Sequence, residues 1–212
     1  NFVIIRRKKL RQMEEFMTIL SIIASFFIGA IPTGFILAKK FKGVDIRTEG
    51  SGNIGSTNVR RVLGHKLAVA TQVIDVLKGL VPVAIAIGIH KSGLIDMDYY
   101  LYVSLVALAS ILGHNFTPFL SFKGGKGVNT TLGSFFLLSP LSVVVGVATY
   151  FILKYFTKIV SIRSIALGIS MPITCLLTGA DMTITISAFL STLLLIVRHK
   201  SNIIRIMNGT EK

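Results

Sequence analysis

Long apolar runs separated by short basic segments leave this chain very few ways to fold. The runs cover residues 17–38, 67–89, 99–112, 132–156, 165–178 and 183–197. About 20 apolar residues are what ~30 Å of hydrocarbon asks of a spanning helix. Inside hydrocarbon every backbone N–H and C=O must be paired within the protein, so only helices and closed barrels cross. The runs are continuous rather than alternating, which selects helices. An all-α, polytopic integral membrane bundle is therefore expected. Composition agrees: 15% of residues are charged, against roughly 25% in soluble domains. A lone cysteine, Cys175, excludes an internal disulfide, a CxxC zinc site and a cysteine-held iron–sulfur cluster.

The net charge of +14 first suggests a nucleic-acid binder. The basic residues lie in clusters between apolar runs, however, as in the cytoplasmic loops of membrane proteins, so no nucleic acid is expected. Residues 39–66, the Lys123/Lys126 segment, residues 154–163 and residues 198–212 hold 16 of the 23 lysines and arginines. Six helices cannot place all four segments on one side. Seven can, if the run 132–156 breaks at Ser139-Pro140, since proline disfavours a continuing helix and restricts the residue before it. Helices over about 125–138 and 141–156 result, with the N-terminus outside and the C-terminus in the cytoplasm. The first of these is short enough to need shielding by protein. Residues 1–16 read as a basic leader whose five charges oppose that orientation, and Met13 or Met17 is an alternative start. Residues 17–212 read as a single domain. Asp75 and Lys78, one turn apart in an apolar helix, read as a structural pair or as a lysine snorkelling to the interface.

Three segments carry chemistry. In Glu49-Gly50-Ser51-Gly52-Asn53-Ile54-Gly55-Ser56-Thr57-Asn58-Val59-Arg60-Arg61, glycines allow close backbone approach. Hydroxyls and amides add neutral hydrogen bonds, and arginines can grip phosphate in a fork. A plain flexible loop accounts for it equally well. In Lys123-Gly124-Gly125-Lys126-Gly127-Val128-Asn129-Thr130, the glycines fall where a helix should begin, and helix N-termini favour phosphate. It is not a Walker A loop, because Gly127 stands where Ser/Thr is required. The third, from Arg198-His199 through Asn202 to Glu211, reads by itself as a basic helix end on anionic lipid. A weaker fourth is Ser161-Ile162-Arg163-Ser164. No histidine is followed five residues later by aspartate: Ala70, Ile95, Phe119 and Ile204 stand there. A Gly-x-Ser-x-Gly elbow is also absent. The segments thus suit phosphate binding and offer no evident general base or covalent nucleophile.

Together, Gly50 to Asn58, Gly113-His114 through Phe122 to Val128, and Arg198-His199 through Asn202 to Glu211 resemble, in order, the three motifs of the PlsY family. These are bacterial acyl-phosphate:glycerol-3-phosphate acyltransferases, and the resemblance covers roughly residues 17–211. It implies seven transmembrane helices in the bacterial cell membrane, with the site at the cytoplasmic face. It implies acyl transfer from acyl-phosphate to the 1-hydroxyl of glycerol 3-phosphate, giving lysophosphatidic acid and phosphate, the first acylation of phospholipid synthesis. No cofactor or metal is implied, and the partners are the two substrates and membrane lipid, with the chain a monomer. Carried over by motif position, Ser51, Arg61, Lys123, Lys126, His199 and Asn202 would be catalytic. Asn53, Gly55, Thr57, Asn58, Gly124, Gly125, Gly127, Thr130, Ser161 and Ser164 would bind substrate, and Glu211 would be structural. Ser56 and Asn129 replace the usual alanines, and Pro118 stands one place from the usual proline. A transporter of phosphorylated anions is the competing class. It would need polar residues along a whole transmembrane path, and the far side offers little beyond Asp96, Asp98 and Asp181.

Overall fold

A computed structural model of the chain describes residues 2–211, with side chains from residue 8 onward. Residue 1 and the side chains of residues 2–7, part of the expected leader, lie outside the described residues. The regular structure of the described residues is all helix: α1 Phe2–Ala30, α2 Thr33–Lys42, α3 Ser56–Leu63, α4 His65–Lys91, α5 Tyr99–Asn115, α6 Val128–Phe135, α7 Pro140–Leu153, α8 Val160–Leu177, α9 Met182–Arg198 and α10 Lys200–Met207, with a short 3-10 turn at Pro118–Leu120. Four stretches are long and apolar enough to cross a membrane: Lys8–Lys42, His65–Lys91, Tyr99–Leu120 and Val160–Leu177. The pair α9 and α10, bent by 55° at His199, makes a fifth if counted as one span. The chain is thus a multi-pass integral membrane protein.

The helices are solvated as lipid demands. Phe16, Val144, Phe151 and Leu177 are exposed, while Ser104, Ser110, Asn115, Thr130 and Ser134 are buried. Lipid is as apolar as leucine, so helices associate in it through close packing and interhelical hydrogen bonds. Both occur here. A Cβ on Gly133 of α6 would lie 1.9 Å from the Val76 carbonyl oxygen of α4, and one on Gly79 would lie 2.2 Å from that of Thr130. The α1–α5 crossing is as tight, through Gly29 against Ser110 and Gly113 against Phe26. Across helices, Ser25 Oγ donates to Val106 O at 2.7 Å, Ser110 Oγ to Lys78 O at 2.6 Å and Thr192 Oγ1 to Gly168 O at 2.6 Å.

Two expectations change in detail, and between the two readings of Asp75/Lys78 the structural pair holds. The first span was expected over 17–38. The helix instead starts upstream, within the leader, and ends at Ala30, because Pro32 interrupts it before α2. The helix expected over 125–138 is reduced to the eight residues of α6, about 12 Å at 1.5 Å per residue. It lies against α4 with Thr130, Thr131, Gly133, Ser134 and Phe135 buried. Lys78 does not snorkel: it is 4% exposed and pairs with Asp75 at 2.7 Å. The break at Ser139-Pro140 occurs where expected, with Pro140 opening α7.

Candidate active site

The Gly-rich loop before α3 is built around Asn58. Its side-chain Nδ2 donates to the carbonyls of Ile46 (3.2 Å), Glu49 (2.9 Å) and Asn53 (2.9 Å), while its Oδ1 accepts from Ser51 N at 2.8 Å. One buried amide thus closes the loop, and Gly50 and Gly52 supply the left-handed turns it needs (φ 57° and 69°). Asn53 Oδ1 accepts from Gly55 N at 2.8 Å. The folded loop presents Ser51, Thr57, Arg60 and Arg61 to a cavity of about 550 Å³.

The second segment docks by its glycines. Gly125 N donates to His114 O at 3.0 Å and Gly124 N to Asn115 O at 3.2 Å. Their carbonyls accept from Arg198, at Nε (3.0 Å) and Nη2 (2.9 Å). A Cβ on Gly125 would lie 2.1 Å from His114 Nε2. These N–H groups, expected to hold phosphate, are spent on backbone carbonyls, and neither glycine lines the cavity. Nor does Lys123, which is exposed, nor Thr130, which is buried beside Gly79. What the docked loop delivers to the cavity is Lys126 and Gly127.

Lys126 Nζ donates to Asn202 Oδ1 at 2.6 Å. Asn202 Nδ2 in turn donates to Glu211 Oε1. Glu211 also accepts from Ser161 Oγ at 3.0 Å and pairs with Arg205 at 2.6 Å. The C-terminal segment therefore ties α10, α8 and the Lys126 loop together. Burial is the main influence on the Lys126 ammonium and pulls it down. Attraction to Glu211 is outweighed as Arg205, Arg61 and Arg198 add repulsion, and its pKa is lowered to about 8. Burial would raise the Glu211 carboxyl, but the hydrogen bonds from Asn202, Arg205 and Ser161 hold it below its ordinary value.

His199 sits buried in the bend between α9 and α10, with Nδ1 2.8 Å from Leu195 O. A carbonyl only accepts, so this bond assigns the proton to Nδ1 and leaves a lone pair on Nε2. Beneath the cavity, the Lys78 ammonium pairs with Asp75 Oδ1 at 2.7 Å, donates to Ile31 O at 2.6 Å and lies 3.5 Å from His114 Nδ1. It thereby adds a second donor to the Ile31 carbonyl at the Pro32 break, which also accepts from Thr33 N at 2.9 Å, and forms a polar floor of which Asp75 and His114 line the cavity.

Of the residues expected from sequence, the cavity gathers Ser51, Asn53, Gly55, Thr57, Asn58, Arg61, Lys126, Gly127, Ser161, Ser164, His199, Asn202 and Glu211. Lys123, Gly124, Gly125 and Thr130 fall outside it. Asp75, His114 and Arg163 also line it and were not expected as site residues. The Asp75/Lys78 spacing and the Gly113-His114 pair were visible signals, but their meeting across 36 to 39 residues was not. Val147, Tyr150, Phe151 and Leu167 form an apolar wall.

Fold and cavity define a membrane protein with a cation-rich pocket opening onto an apolar wall, the properties of a site for a phosphate-bearing lipid or its precursor. The comparisons with known proteins agree. The profile of the family described as glycerol-3-phosphate acyltransferase matches residues 19–209, and the chain belongs to that family. It is 51% identical over 196 residues to the glycerol-3-phosphate acyltransferase of Clostridium acetobutylicum, covering 92% of this chain and 99% of that one. The Fusobacterium nucleatum relative is 44% identical, covering 90% and 94%. Among solved structures it resembles PlsY (YgiH), an integral membrane glycerol 3-phosphate acyltransferase, in its glycerol 3-phosphate form, with TM-score 0.84 and 37% identity over 92% of this chain and 94% of that one. The lysophosphatidic acid form of that protein matches at TM-score 0.82 and 36% identity, with the same coverage.

Proposed function

We propose that the chain transfers a fatty acyl group from acyl-phosphate to the 1-hydroxyl of glycerol 3-phosphate, yielding lysophosphatidic acid and inorganic phosphate. We propose further that it crosses the membrane seven times, α6 and α7 included, with the N-terminus outside and the cavity at the cytoplasmic face. The observation that carries the reading is the two-sided cavity: Arg60, Arg61, Lys126 and polar side chains beside an apolar wall of α7 and α8. A hydrophilic phosphoester needs the first and a fatty acyl chain the second. The polar floor of Asp75 and His114, both buried, favours a dead-end site over a transport path.

Acyl-phosphate is already activated, so the protein has only to position two substrates and stabilise charge. Positioning alone can contribute about 7–11 kcal/mol. The acceptor hydroxyl oxygen attacks the acyl carbonyl carbon, and the carbon–oxygen bond to phosphate then breaks with its electron pair leaving on phosphate. Arg61 and Lys126 stabilise the charge on phosphate, and Ser51 supplies a neutral donor, while the Ser161 and Ser164 hydroxyls, which donate to Glu211 and to Val160 O, offer lone pairs to the polar side of the cavity. Asn202, fixed by Glu211, orients Lys126. The attacking hydroxyl donates to an oxygen of a substrate phosphate and passes its proton there, while His199 completes the polar pocket around it. If His199→Ala abolished turnover with unchanged substrate binding and removed a limb of the pH profile, proton transfer to His199 would replace that last step.

The test is donor choice. Detergent-solubilised protein should form labelled lysophosphatidic acid from glycerol 3-phosphate and palmitoyl-phosphate, and none from palmitoyl-CoA. The reverse preference would refute the donor assignment.

A further inference from the structure

Arg163 stands in the first turn of α8 and lines the cavity. It is 7% exposed. Its Nη2 donates to Lys158 O at 3.3 Å, its Nε is buried with no hydrogen-bond partner, and its guanidinium carbon lies 4.9 Å from the centroid of the Tyr150 ring. Among the described residues no carboxylate pairs with it. Guanidinium stays charged at any physiological pH, and a buried cation without a counter-ion is strongly unfavourable. Tyr150 covers one face and offsets part of that cost. The unused edge still has donors to give.

Arg163 belongs to the α7–α8 wall, where Val147, Tyr150, Phe151 and Leu167 are apolar. A ligand that meets this wall and neutralises this cation has an apolar body joined to a compact anion. Glycerol 3-phosphate has no such body. We propose that Arg163 binds the phosphate group of the acyl donor, through Nε and the adjacent N–H groups, and so selects a donor whose leaving group is a small anion. The assignment rests on the acyl-phosphate reading above. It adds a third cation to that phosphate, beyond Arg61 and Lys126, and places it beside the apolar wall.

Initial rates of the full-length, detergent-solubilised protein with each substrate varied in turn test this. Arg163→Met keeps an unbranched stem and removes the charge together with the guanidinium that faces Tyr150. It should raise KM for palmitoyl-phosphate about tenfold or more, with KM for glycerol 3-phosphate within about twofold. The inhibition constant of inorganic phosphate against the donor should rise in parallel. Arg163→Lys, a point charge without the fork, should fall between. If Arg163→Met does not fold, judged by its thermal unfolding, Arg163→Lys decides by the same donor-selective criterion. An unchanged donor KM, or a rise confined to glycerol 3-phosphate, overturns the assignment. Wild type inactive with palmitoyl-phosphate overturns the acyl-phosphate reading and this one with it. Wild type active with an unaffected variant overturns only this one.

Discussion

The Lys126 ammonium makes a pH profile the sharpest consequence of the cavity. Its pKa is lowered to about 8 by burial first, with Glu211 as the attracting charge and Arg205, Arg61 and Arg198 as repelling ones. Below about 8 it is a cation that can hold phosphate; above it, the neutral amine cannot. The phosphate monoester itself becomes a dianion above about pH 6. kcat/KM for glycerol 3-phosphate should therefore rise to a plateau between these values and fall about tenfold per pH unit beyond 8, because kcat/KM reports the free enzyme. Bound phosphate favours the cation, so the basic limb of kcat should lie higher. Glu211 reaches Lys126 through one bridging amide, and such a charge is worth on the order of 1–3 kcal/mol at an effective dielectric of about 20. Glu211→Gln should thus move the basic limb down by about one pH unit or more. Lys126→Arg, which does not deprotonate, should remove the limb altogether in whatever activity remains. A basic limb unmoved by both substitutions would refute the assignment of that ionisation to Lys126.

Other substitutions test the packing. Gly133→Ala sets a methyl 1.9 Å from Val76 O and should destabilise by about 2–3 kcal/mol, whereas Gly43→Ala, with open space around it, should cost only about 1 kcal/mol for its positive φ; thermal unfolding in detergent compares them. Asn58→Ala removes the amide that closes the Ser51 loop and should cost about 2–3 kcal/mol, while raising KM for glycerol 3-phosphate. Lys78→Met leaves Asp75 buried without a partner and should cost about 3–5 kcal/mol, with most recovered in the Asp75→Asn/Lys78→Met double variant. Because the Glu211 carboxyl is lowered from its ordinary value of 4.5, its stabilisation is complete above that value and is lost as pH falls below it. The acid limb of the melting temperature should flatten in Glu211→Gln.

The helices were legible because lipid demands uninterrupted apolar runs, and Pro140 marks its own break. Pro32 was passed over because the residues after it, Phe35 to Ala38, remain apolar, so hydropathy carries on where the backbone does not. Sequence could not show that α6 is only eight residues long, since docking of Gly124 and Gly125 on Asn115 and His114 delays its start to Val128, turns over 136–138 end it early, and Gly133 sets its place on α4. The three Gly-rich or basic segments pointed to one site, and the cavity does gather most of them. Sequence could not show how their polar groups are spent. Gly124 and Gly125 look like phosphate ligands until His114 and Asn115 are found to use their N–H groups, and Asn58 looks like a ligand until it is found tying its own loop. Arg163 was hidden for the opposite reason: in sequence it is one more basic residue in a turn, and only burial without a counter-ion sets it apart.

The proposed reaction joins an acyl-phosphate to glycerol 3-phosphate in this cavity. Phosphate release from palmitoyl-phosphate by the purified protein in EDTA, with and without glycerol 3-phosphate, tests it most directly. Release is expected only when glycerol 3-phosphate is present, matched mole for mole by lysophosphatidic acid. No release from a folded sample, or release indifferent to glycerol 3-phosphate, would contradict it.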